Sequence, residues 1–233
     1  MRIADRISNL GTETAFAVGA EAGAFAAQGN RVYPFHLGDI NMPTPSTVVD
    51  GAAKAIADGK TGYCPPAGIP QLREALAEDV SRTHRLDYSP ENIVVQPGGK
   101  PTIGKFILAL MNPGDEVLYP NPGYPIYESQ IEFNGGTAVP YGYVEGATNF
   151  EFDFEQIENA ITDKTRLLIL NDLHNPTGAE CAPGEHERLA ELVLKHDLYV
   201  LADEAYFEMR YSGESKSFAE QPGMQERTVL LYT

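Results

Sequence analysis

The sequence predicts an α/β fold in which a mostly parallel sheet is sandwiched by helices, and three observations carry that prediction. From Asn92 onward, strand-like runs alternate with helix-length segments, the pattern of successive βαβ units. Leu167, Leu168, Ile169 and Leu170 form a short, continuously apolar run, as expected of a parallel strand covered on both faces. Polar residues, glycines and prolines gather just past such runs, at the rim where open α/β sheets bind ligands.

Taken in order, Arg2 and Arg6 precede TAFAVGAEAGAFAA, which Asp5, Glu13 and Glu21 mark as an Ala-rich amphipathic helix rather than a secretion signal. VYPFHLGDINMPTPS is a Pro- and Gly-bearing crossing segment. Residues 1–45 therefore read as an N-terminal arm with part of a small domain, and 46–233 as a large domain whose helix signals resume at Ser46. GKTGYCPPAG is a loop. Pro70 then suits the first turn of a helix whose Leu72, Ala75, Leu76 and Val80 share a face. NIVVQ reads as a strand, GGK opens a helix through Leu110, and EVLYP is the next strand. A helix from Tyr124, the run TAVPY, a helix over 154–160 and the RLLILN strand follow. A helix over 183–196, the run LYVLADEAY and the strand RTVLLYT complete the series. There is no internal repeat.

Seventeen Lys and Arg against 33 Asp and Glu give a net charge of −16, which disfavours nucleic acid and anionic membrane as partners. The two cysteines, Cys64 and Cys181, lie far apart without metal-ligand spacing around them, so neither a disulfide framework nor a metal site is expected. A reduced cytoplasmic setting fits, and no segment is long enough to span a membrane.

Four strand ends bear on function. In VVQPGGKPT, Gly98 and Gly99 close a strand and open a helix, so free N–H groups and the positive helix end suit a phosphate; a structural glycine turn is the alternative. NPGYPIY holds Tyr124 between two prolines, a flat ring suited to stacking on a planar ligand or to capping a core. In LLILNDLHNPTGAE, Pro176 restricts one backbone angle and Gly178 permits angles other residues avoid, so Asn175 is held by a stiff loop. LYVLADEAY ends an apolar strand at Asp203, which tolerates burial there only beside a strong partner such as a cation or a protonated ring nitrogen. The alternative is a solvated strand end. Tyr206 follows three residues later.

Together YCPPAGIPQLREAL, PGGK, NPGYPIY, HNPTG and ADEAY, in this order along nearly the whole chain, resemble the class I/II aminotransferases among the fold-type I pyridoxal-phosphate enzymes. The resemblance implies that the backbone at Gly98, Gly99 and Lys100 cradles the phosphate of pyridoxal 5'-phosphate and that Tyr124 stacks on its ring. Asn175 and Tyr206 would hydrogen-bond its phenolic oxygen, and Asp203 would pair with its pyridine nitrogen, making Asp203 and Tyr206 catalytic. Gly38, in LGDINMPTP, matches a glycine approaching the substrate carboxylate. Tyr63 matches a tyrosine reaching the phosphate of a neighbouring subunit, which implies a homodimer. The implied substrates are an amino acid and a 2-keto acid.

Asp172 and Leu173 depart from the family, which often has prolines there. The family's Schiff-base lysine is expected past Thr233: Lys216 comes too early, Lys100 sits at the phosphate turn, and Lys105 lies in the following helix. The chain therefore reads as the amino-terminal portion of an aminotransferase, expected to be inactive alone. A C–S or β-lyase of the same fold is one alternative, and a non-catalytic cofactor-binding regulator is another. The regulator normally carries a DNA-binding domain ahead of the fold, for which the preceding residues are too few.

Overall fold

The structure, a computed structural model, describes residues 2–11, 14–38 and 42–233. It divides into two compact units, Met1–Thr12 with Pro70–Thr233, and Glu13–Ile69. The smaller unit carries helices α1 (Thr14–Ala27) and α2 (Ser46–Ala57), so the helix starting at Ser46 groups with the residues before it. The first described residues group instead with the larger unit, where the Gly11 N–H donates to Ser129 Oγ at 2.9 Å.

The larger unit opens with α3 (Pro70–His84) and α4 (Gly99–Leu110). Next come β1 (Glu116–Pro120), α5 (Ile126–Phe133), β2 (Thr137–Tyr141), β3 (Tyr143–Glu145), β4 (Phe150–Phe152) and α6 (Phe154–Ala160). The series ends with β5 (Thr165–Asn171), α7 (Glu185–Lys195), β6 (Tyr199–Asp203) and β7 (Thr228–Leu231). Five strands form one sheet in the order β2-β1-β5-β6-β7, with every neighbouring pair parallel.

The alternation of side chains along each strand divides the core into two layers. Leu168, Leu170, Val200 and Ala202 pack with Phe154 and Ile157 of α6 and Leu189 and Val193 of α7. Leu167, Ile169, Leu201 and Val117 pack on the other face with Ile103 and Ile107 of α4 and Ile131 of α5. Leu167 through Leu170 are at most 1% exposed, so the apolar run in β5 is apolar because both of its faces are covered.

Three details differ from the sequence reading. NIVVQ does not join the sheet: its backbone at Ile93 is extended, but among the described residues it pairs with no strand, and Val94 is 60% exposed. β-Propensity makes a strand only where a partner accepts the ladder. On α3 the buried residues are Ala77, Val80 and His84, while Leu72 is exposed, so the inward face is rotated from the one expected. Arg73 fixes that rotation by donating to Ile93 O at 3.0 Å and to Pro90 O at 2.5 Å. Finally, β3 and β4 form an antiparallel hairpin that the pattern did not disclose. It seals one core layer by stacking Tyr143 on Phe152, and the Phe152 N–H donates to the buried Glu185 at 2.7 Å.

These positions differ sharply in what they hold together. Leu168→Ala should lower unfolding stability by about 2–5 kcal/mol, since it opens a cavity between two packed layers. Val229→Ala, on the edge strand and 41% exposed, should cost no more than about 1 kcal/mol. Equilibrium denaturation of both variants checks the difference.

Candidate active site

The chain steps outward from β1 to β2 and then returns past β1 to β5, so the strand order reverses between β1 and β5. Loops leaving the carboxyl ends of β1, β5 and β6 therefore converge around one crevice. The loop after β1 is turned sharply back: a Cβ on Gly123 would lie 2.1 Å from Pro120 O, so only glycine permits the approach that presents Tyr124. Tyr124 meets Tyr127 edge-on, with ring centroids 5.7 Å apart.

Asp203 ends β6 and is buried. Its Oδ2 accepts a 2.6 Å hydrogen bond from Tyr127 Oη, and its Oδ1 accepts from the Ala205 N–H at 3.3 Å. Burial pushes the Asp203 carboxyl above its usual range, partly offset by those two donors. Tyr127 is pushed well above its own usual value by burial and by Asp203, so it remains a donor. A carboxyl so placed gains most from a cation or a protonated ring nitrogen arriving from the crevice.

Asn171, which ends β5 and pairs in register with Asp203, links the acid to the next loop. Its Nδ2 donates to Asp203 O at 2.8 Å, and its Oδ1 accepts from the Asn175 N–H at 2.9 Å. Asn175 Nδ2 in turn reaches Tyr206 Oη at 3.4 Å. On the other side, Asp203 pairs in register with Leu231, and Leu231 lies against the glycine turn, where a Cβ on Gly99 would come within 3.3 Å of it. Gly98, at φ +94°, precedes α4 in a conformation that favours glycine, and Gly99 and Lys100 form the first turn of the helix. This first turn, with its positive helix end, therefore lies at the same edge of the sheet as Asp203.

The larger unit thus brings Gly98, Gly99, Lys100, Tyr124, Asn175, Asp203 and Tyr206 to one sheet edge. Gly38 and Tyr63 lie in the smaller unit, both exposed.

The family model for aminotransferase class I and II matches residues 33–233. The chain belongs to the class I and II aminotransferases. It is 37% identical over 209 residues to the aspartate/prephenate aminotransferase of Thermus thermophilus, covering 90% of this chain and 54% of that protein. It is 32% identical over 235 residues to the aspartate aminotransferase of Bacillus subtilis, covering 99% and 59%. The solved structure of the Thermus thermophilus aspartate aminotransferase with maleate superimposes with a TM-score of 0.92 at 36% identity, covering all of this chain and 60% of that one. The chain therefore spans between half and two thirds of the length of these aminotransferases.

Within this aminotransferase segment, Tyr127 and Asn171 escaped the sequence reading. Tyr127 stood within the quoted NPGYPIY, three residues past Tyr124 and so on the same side of the following turn, but nothing local marks its bond to Asp203. A second group also went unseen. Cys181, which has no ligand-spaced cysteine or histidine pair, lies with Asp172 and His186 so that one ligating atom of each is within 4.8 Å of the others.

Two outcomes follow from this geometry. Tyr127→Phe should leave Asp203 Oδ2 without its donor and cost about 1–3 kcal/mol of stability, measurable by denaturation. His174, buried in the Asn175 loop, is pushed down to about 4 by burial. The unfolded chain binds that proton near pH 6.5, so the contribution of His174 is present above pH 6.5 and is lost as pH falls towards 4. Stability should drop by on the order of 2 kcal/mol across this window, and His174→Gln should flatten the drop in a pH series of melts.

Proposed function

We propose that the protein containing this chain is a pyridoxal 5'-phosphate-dependent aminotransferase that moves an amino group between an amino acid and a 2-keto acid. The observation that carries this reading is the buried Asp203, whose carboxyl is held by Tyr127 and whose backbone carbonyl is joined through Asn171 to Asn175 and Tyr206. The residues fit the cofactor. The turn at Gly98, Gly99 and Lys100 offers N–H groups to its phosphate, Tyr124 a face for its ring, and Asn175 and Tyr206 donors to its phenolic oxygen. Asp203 meets its pyridine nitrogen and holds the proton there. Bound in this way, the cofactor supplies an electron-accepting ring for the electrons left when the substrate's α-proton departs. Asp203 and Tyr206 are the catalytic residues of this chain, acting by charge and hydrogen bonding rather than as nucleophiles.

The lysine that carries the cofactor and moves the proton is assigned outside these 233 residues. Lys100 stands at the phosphate turn, and Lys105 donates to the Gln96 side chain. Gly38 is assigned to the substrate carboxylate and Tyr63 to the phosphate of a partner subunit in a homodimer. The exposure of Tyr63 and of Val48, Val49 and Ile56 on α2 supports such a partner. Residues 1–45 are assigned to an arm and part of a small domain, and 46–233 to the cofactor-binding domain. A reduced cytoplasmic setting is supported by two free cysteines. Among the described residues no helix is long and apolar enough to cross a membrane. The relatives named for aspartate make that amino acid the first donor to assay.

In the full-length protein, Asp203→Asn should lower turnover on the order of 100-fold while cofactor retention changes far less, because the phosphate turn is separate from the ring-nitrogen partner. Equal losses in both would count against the assignment. The 233-residue chain, incubated with the cofactor and reduced with borohydride, should yield no stoichiometrically labelled lysine and no transfer to keto acids. A single labelled lysine with turnover would overturn the placement of the missing nucleophile.

A further inference from the structure

Asp172, Cys181 and His186 are the one group of three metal-ligating side chains brought together among the described residues. They come from three places: the residue after β5, the segment beyond the Asn175 loop, and the first turn of α7. They open onto a cleft of about 820 Å³, distinct from the crevice that holds Tyr124 and Tyr127.

We propose that these three residues bind one zinc ion, with the cleft side left for a water or another small ligand. The donor set is one carboxylate oxygen, one sulfur and one imidazole nitrogen, a mixture that suits zinc and that hard cations such as magnesium do not favour. His186 Nε2 is buried and has no hydrogen-bond partner, although it points at Asp172 Oδ2 from 3.3 Å. That separation is close to the edge of a tetrahedron built on bonds of about 2.1 Å, roughly 3.4 Å. Asp172 is already oriented for the task. Its Oδ1 accepts the Cys181 N–H at 3.0 Å, which turns Oδ2 towards His186. In the metal-free chain both His186 and the Cys181 thiol converge on the Asp172 carboxylate, so an ion among the three would replace both contacts at once.

Binding requires the thiol to lose its proton to solvent as the zinc–sulfur bond forms, so one proton is released per ion bound. In the metal-free chain, burial and the neighbouring Asp172, Glu185 and Glu187 keep the thiol protonated, and Tyr143 lies close by. A divalent charge between the sulfur and the carboxylates reverses that balance.

The site has a consequence for the chain's geometry. Asp172 and Cys181 are the two feet of the loop that carries Asn175, so an ion held by both clasps the loop at its base. Its occupancy would stiffen the Asn175 position without touching it.

Cobalt(II) titration of the cofactor-free chain tests this inference independently of transaminase activity. A thiolate-to-cobalt absorption band should appear and saturate at one ion per chain, and added zinc should abolish it by displacement. Cys181→Ser should remove the band, His186→Gln should weaken binding at least tenfold, and Cys64→Ser should leave it unchanged, with circular dichroism confirming that each variant is folded. Zinc should also raise the melting temperature of the parent chain but not of Cys181→Ala. The absence of a band in the folded parent chain, or a band that survives Cys181→Ser and disappears in Cys64→Ser, would overturn the proposal.

Discussion

The burial of a single carboxyl, that of Asp203, is the constraint on which the rest of the larger unit depends. An acidic side chain at the end of a covered strand costs stability unless polar groups surround it, and two elements at the rim supply them. α5 contributes the Tyr127 hydroxyl and the turn after β6 contributes the Ala205 N–H, while Asn171 of β5 holds the backbone carbonyl of the same residue. The parallel sheet makes this possible, because only strands running the same way deliver their carboxyl ends, and the loops after them, to one edge. The two apolar layers beneath are what hold those ends in register.

The same geometry explains why the site is assembled from short pieces of chain. The loops after β1, β5 and β6 are each anchored by a strand inside the sheet, so each needs few contacts of its own to hold one side chain in place. Gly123 shows how tight that economy is. The loop after β1 folds back so closely on Pro120 that no side chain fits, and the return is what presents Tyr124.

What was legible in the sequence was whatever a local pattern records. The run Leu167–Leu170 announced a doubly covered strand because burial on both faces leaves an unbroken apolar stretch, and 154–160 emerged as a helix. Asp203 stood out because a carboxylate after such a run demands a reason. NIVVQ misled because a ladder belongs to two strands and only one was visible. The inward face of α3 misled because it includes a polar residue, His84, and is set by the hydrogen bonds of Arg73 to a distant backbone. Tyr127 and Asn171 were silent for a related reason: their bonds to Asp203 span 76 and 32 residues, and no local spacing encodes them. Cys181 and His186 are five apart across a turn into α7, with Asp172 joining only through the fold.

The amide of Asn171 uses both of its ends in opposite directions, giving a proton to the backbone of Asp203 and taking one from the backbone of Asn175. Rotating it by half a turn would set donor against donor and acceptor against acceptor. The amide is therefore polarised in one sense only, and the distance between the two loops is set by the width of a single rigid planar group. It works as a gauge block in the sheet: a loop rebuilt by mutation on either side must still meet a fixed spacing. An aspartate of the same shape at position 171 would keep the size of the block and lose its polarity.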